Sequence, residues 1–128
     1  MSIFTDLDEL LQIYIEDKFK IQEMANFKGA TFNLPVNIWV DGPRDMPHGK
    51  RIKIQNNYST NFTQGDLVSI TIEDSPRVSK TFKRVQIKDK DLERVKSWII
   101  LNKDALLAYA NGDFGTEDLV QKLQPLQD

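Results

Sequence analysis

The 128-residue chain contains no cysteine and a single histidine, His48. Without thiols there is no disulfide framework, no thiol chemistry and no cysteine-based zinc site. One histidine leaves carboxylates as the only way to assemble a metal site, and Asp41 and Asp45, which bracket the turn holding His48, lack the spacing of a calcium loop. An acyl-transfer triad has no serine in a nucleophile elbow to build on. Long apolar runs are also missing. Neither Trp98 to Leu101 nor Ala105 to Ala110 comes near the roughly 20 residues of a membrane helix. The opening "MSIFTDLDELLQ" carries acids where an export signal would carry Lys or Arg. These absences lead to the expectation of a cytoplasmic, soluble, non-enzymatic protein with no cofactor, no metal and no membrane contact.

What is present is ordinary for a globular domain, with 40% hydrophobic and 28% charged residues. The net charge of −2 is unevenly spread. Residues 1–30 and 91–128 each sum to −3, and residues 31–90 to +4. A basic middle between acidic ends implies either internal charge matching or a cationic surface that meets a partner.

Periodicity supplies the elements. Leu7, Leu10, Leu11, Tyr14, Ile15 and Phe19 recur at three- and four-residue spacing behind the cap Thr5, which predicts a helix over about residues 6–25. From Thr31 the period becomes two, with Phe32, Leu34, Val36, Ile38 and Val40 alternating, so a strand is expected to Val40. After the Gly42-Pro43 and Pro47-His48-Gly49 turns, Ile52 and Ile54 mark a second strand. A polar loop, "NNYSTNFTQGD", leads to a third with Val68, Ile70 and Ile72, and Val85 and Ile87 give a fourth. The connections are too short for crossovers, so an antiparallel meander follows. A long helix is expected from an N-cap at Asp89 to Asn111-Gly112, with Leu92, Val95, Trp98, Ile99 and Leu106 on its apolar stripe. A short helix capped by Thr116 follows and ends at Pro125. The layout is a single α+β domain over residues 1–128: a four-stranded antiparallel sheet with an N-terminal helix and two C-terminal helices, in the order α-ββββ-α-α.

If Ile38, Ile54, Ile70 and Val85 face the core, then Trp39, Arg51, Lys53 and Arg84 fall on the opposite, outward face. An exposed tryptophan among cations has the make-up of a stacking platform for a base, with charge for phosphate. The turn "GPRDMPHG" would set Trp39, Arg51 and Lys53 on neighbouring strands, with His48 as a bystander or a rim contact.

The segments "IWVDGPRDMPHGKRIKI" and "VKSWIILNKDALLAYANG" resemble those of a family of small bacterial proteins of unknown function. That family carries a Pro-His-x-His-type hairpin and a Trp-containing C-terminal helix. Trp98, Asn102, Lys103, Leu106 and Leu107 fall into the helix pattern, and Pro47 and His48 into the hairpin. Gly49 and Lys50 stand where the family has an aromatic and a second histidine. The resemblance implies an accessory protein of toxin–antitoxin type, from a bacterial or phage mobile element. The functional expectation is therefore an interaction module with a protein partner. The alternatives are nucleotide or RNA binding on the cationic face, and a structural or virion-associated subunit that self-assembles into a homo-oligomer.

Overall fold

A computed structural model describes residues 10–11, 25–42, 50–63 and 65–128. Four strands lead the described elements: β1 (Ala25–Phe27), β2 (Ile38–Val40), β3 (Arg51–Gln55) and β4 (Leu67–Thr71). Three helices follow: α1 (Asp89–Leu101), α2 (Lys103–Ala110) and α3 (Thr116–Lys122). The sheet is an antiparallel meander in chain order, β1-β2-β3-β4. Its register aligns Phe27, Ile38, Ile54 and Val68 in one row, and Ala25, Val40, Ile52 and Ile70 in the next. Both rows point to the side where α1 supplies Leu92, Val95, Trp98 and Ile99, α2 supplies Leu106 and Tyr109, and α3 supplies Leu119. These residues make one apolar cluster between sheet and helices, as two-layer packing demands.

The antiparallel meander agrees with the sequence pattern, but the element order does not. Among the described residues it is ββββ-α-α-α rather than α-ββββ-α-α. The helix expected over residues 6–25 lies outside the described residues apart from Leu10, Leu11 and Ala25, and Ala25 already belongs to a strand.

Three further departures have identifiable causes. The strand expected from Thr31 is interrupted: Gly29–Phe32 forms a 3-10 turn, and Asn33 takes a left-handed conformation at φ 61°. Asparagine tolerates that region better than most residues, and Pro35 cannot donate to a ladder. The turn closes tightly through Leu34 N–H to Gly29 O at 2.9 Å. A Cβ on Gly29 would lie 2.2 Å from the Val36 carbonyl oxygen, so only glycine fits there.

The long C-terminal helix divides at Asn102, whose φ of −107° leaves the helical region. The Asn102 side-chain amide donates to Trp98 O at 3.0 Å, beside the backbone N–H of the same residue, and also bonds Gln124. This division makes three C-terminal helices from the expected two. The strand expected at Val85–Ile87 is not part of the sheet; β1 is the fourth strand instead. Residues 84–86 are held by a side chain, Asn56, which accepts from Gln86 N–H and donates to Arg84 O, both at 2.8 Å. Among the described residues one isolated bridge, Ile70 to Val78, meets the β4 edge, and Lys83 Nζ donates to Leu67 O there.

Helix capping also differs in detail. Asp89 and Thr116 are the first helical residues rather than caps. At α1 the cap comes from a distant loop: Tyr58 Oη accepts from Lys88 N–H at 2.9 Å and donates to Asp91 Oδ2 at 2.6 Å.

Candidate functional site: a buried polar sheet face and the loop it shapes

Alternation places Asn37, Trp39 and Asp41 on the face of the sheet opposite the helices, with Arg51, Lys53, Gln55, Leu67, Ser69 and Thr71 from the next two strands. Trp39, Lys53 and Ser69 form one cross-strand row. The shared face of Trp39, Arg51 and Lys53 is therefore as expected. Its exposure is not: Trp39 and Lys53 are 0% exposed and Arg51 2%. The Trp39 ring reaches across β3 to cluster with Leu67. It also meets Phe62 edge-on, with ring centroids 5.4 Å apart. Lys53 Nζ donates to both Asp41 carboxylate oxygens, at 3.3 and 3.2 Å. Arg84 is exposed and lies beyond β4, its backbone tied to Asn56. His48 lies outside the described residues.

This face is polar although it is buried. Trp39 Nε1 and Ser69 Oγ are sealed from solvent and have no hydrogen-bond partner among the described residues. Each such group costs on the order of 1–3 kcal/mol. The amides Asn37 and Gln55 of this face, with the adjoining Asn56, share one use, the shaping of the β3–β4 loop.

That loop, residues 56–66, closes on itself through Asn56 N–H to Asp66 O at 2.9 Å. It has the joined ends of an Ω-loop. Three amide side chains at its base hold it. Gln55 Nε2 donates to Asn57 Oδ1 at 3.0 Å and to Ser59 O at 2.8 Å, and its Oε1 accepts from Thr63 N–H at 2.8 Å. Asn37 accepts from Gly29 N–H at 2.9 Å through Oδ1 and donates to Gln55 Oε1 and Thr60 O, both at 3.4 Å. Asn56 donates to Asp66 Oδ1 at 3.2 Å and pins residues 84–86, as described above. From β1's end, Lys28 Nζ reaches Thr60 O at 2.7 Å. All three amides are buried, at 0–5% exposure.

A loop so tied presents two aromatic rings to solvent. Tyr58 is 45% and Phe62 37% exposed. Phe62 is steadied below by Trp39, and Lys28 Nζ lies 4.5 Å from its centroid, a cation–π contact. Partial desolvation and the hydrogen bond to Asp91 together raise the Tyr58 phenol above its ordinary pKa. Reading the segment only as a polar connection misses this arrangement. The available signal is two aromatics inside an Asn/Ser/Thr run, bounded by an amide pair, Gln55-Asn56, at a strand end.

Among the described residues, no group of three His, Asp or Glu side chains is placed to hold a metal ion. No helix among them is long and apolar enough to cross a membrane. Comparisons of the chain with family models, with curated proteins and with solved structures return no match.

Proposed function

We propose that the chain is a non-catalytic interaction module whose recognition element is the 56–66 loop, with Phe62 and Tyr58 contacting a protein partner. One observation carries this reading: three buried amides are committed to fixing a surface loop that exposes two aromatic side chains among its described residues. Loops held on a rigid scaffold are where binding residues concentrate. Aromatic anchors dominate protein interfaces, and a loop already in its bound shape avoids the ordering cost of association. An accessory role in a toxin–antitoxin-type module belongs to the same proposal and rests on the resemblance in the sequence.

The test is a native mass spectrum, at low salt, of the protein taken from its own host lysate, for wild type and for Phe62→Ser. A protein that co-purifies with wild type and is lost from a folded Phe62→Ser supports the reading. Equal retention by both contradicts it.

A second reading is favoured by Lys28. A cation beside an exposed ring suits a nucleobase with its phosphate, so nucleotide or single-stranded RNA binding would centre on Phe62 and Lys28. It predicts binding that weakens steeply with salt and falls further in Lys28→Ala. Salt-independent binding contradicts it.

A further inference from the structure

Residues 123–128, Leu-Gln-Pro-Leu-Gln-Asp, leave α3 as an extended segment that runs along α1 from Asn102 past Trp98 to Arg94 and meets the Phe32–Asn33 turn. Leu123 has φ −69° and ψ 134°, close to polyproline II, and Pro125 has its φ held by its ring. The segment turns Leu123, 6% exposed, and the half-buried Leu126 inward, while Gln124, Pro125, Gln127 and Asp128 face solvent. That three-residue spacing is the repeat of a polyproline II helix.

The groove recognises the segment's backbone at alternate residues. Gln124 N–H donates to Asn102 Oδ1 at 2.8 Å, and Gln124 O accepts from Asn102 Nδ2 at 3.0 Å and Trp98 Nε1 at 2.9 Å. Leu126 N–H donates to Phe32 O at 3.0 Å, and Leu126 O accepts from Asn33 Nδ2 at 3.1 Å. Arg94 bonds Asn33 O at 2.9 Å and the Asp128 carboxylate at 2.8 Å. Phe32 and Trp98, with centroids 5.3 Å apart, form the aromatic floor. An indole donor, an amide clamp, an aromatic floor and a guanidinium at one end are the parts of a peptide-binding groove of polyproline II type.

We infer that this groove is a second interaction surface, which takes a Leu-x-Pro-Leu-x-acidic segment of a partner protein, and that residues 123–128 are its tethered, competing ligand. The charge of the occupant follows from Arg94, the two apolar anchors from the sockets of Leu123 and Leu126, and the extended backbone from the clamps on Gln124 and Leu126. Because most of the polar recognition falls on main-chain groups, an outside segment with the same anchors finds the same partners. The groove shares no contact residue with the 56–66 loop, so the two proposals fail independently.

A fluorescein-labelled peptide, Leu-Gln-Pro-Leu-Gln-Asp, is titrated into full-length wild type and full-length Leu126→Asp, with anisotropy as the readout. A tethered ligand competes at about millimolar effective concentration. The variant, whose own segment has lost an anchor, should therefore bind the peptide at least about ten-fold more tightly than wild type. A peptide with aspartate in place of its second leucine should bind neither protein. A folded Leu126→Asp that does not bind, or that binds a scrambled peptide equally, overturns the proposal.

Amide exchange of unmodified wild type decides the matter separately should the variant fail to fold. Release of the segment predicts that the Leu126 N–H exchanges much faster than the Ile99 N–H within α1. Equal rates would make residues 123–128 a fixed part of the fold and end the proposal.

Discussion

Single residues on the polar sheet face bear unequal consequences. Lys53 and Asp41 are 0% and 7% exposed at their side chains and pair at 3.2 Å, so removing either one withdraws a charge partner from a buried group. Removing one partner of a buried pair costs about 3–5 kcal/mol, because the survivor stays buried. Asp41→Ala is therefore expected to lower unfolding free energy by that amount in urea denaturation. The double change Asp41→Leu, Lys53→Met, which removes both charges, should lose much less. Ser69 is the opposite case, since its hydroxyl is buried and meets no partner among the described residues. Ser69→Ala should leave stability unchanged or raise it by about 1 kcal/mol; a clear loss would reveal a hydrogen bond to that oxygen. Alternation in the sequence was sufficient to put Trp39, Arg51 and Lys53 on one face. It could not tell that the face is covered, because period two separates one face from the other and carries no information about which of them meets water.

Among the elements, the 56–66 loop depends most on groups outside itself. Gln55 joins Asn37, Asn57, Ser59 and Thr63 through one side chain. Gln55→Leu keeps the bulk and removes every one of these bonds. It should cost about 1–3 kcal/mol for each buried group left unsatisfied, read as a lowered urea midpoint. A midpoint equal to wild type would mean that the amide contributes nothing to the loop.

The strands Ile52–Ile54 and Val68–Ile70 and the α1 stripe were legible because each has one clean period. The helix break at Asn102 was not, since the apolar stripe runs on through it. It falls at a side chain that bonds both Trp98, one turn back, and Gln124, 22 residues along the chain. Likewise the Phe32–Leu34–Val36 alternation reads as strand, whereas the closure of Gly29 against Val36 makes it a turn with all three side chains still in the core. Val85 and Ile87 show the same limit, as the Asn56 side chain occupies the backbone groups a ladder would have used.

At the scale of the whole molecule, the last residues are tied to the first described turn through Arg94, Asn33 and Asp128. The Asp128 carboxyl is held below its ordinary value, first by hydrogen bonding with Asn33 and then by Arg94. A carboxyl depressed in the folded state stabilises it above the unfolded pKa, and that contribution disappears as pH falls through the folded value. The grip on residues 123–128 should therefore be pH-independent near neutrality and loosen only in acid, below about pH 4. The Trp98 Nε1–H resonance, which reports the bond to Gln124 O, is expected to shift over that range in wild type. In Asp128→Asn the acid transition should be absent, and an unchanged transition would assign it to another carboxyl.

The central claim is that buried amides hold the 56–66 loop in one shape before any partner arrives. Backbone hydrogen exchange of the free, full-length protein at neutral pH tests it most directly. The Asn56 and Thr63 N–H groups, bonded to Asp66 O and Gln55 Oε1, should be protected to nearly the same degree as the Lys53 and Ile54 N–H groups of β3. Exchange of Asn56 and Thr63 at the rate of an open chain, with β3 still protected, would contradict the account.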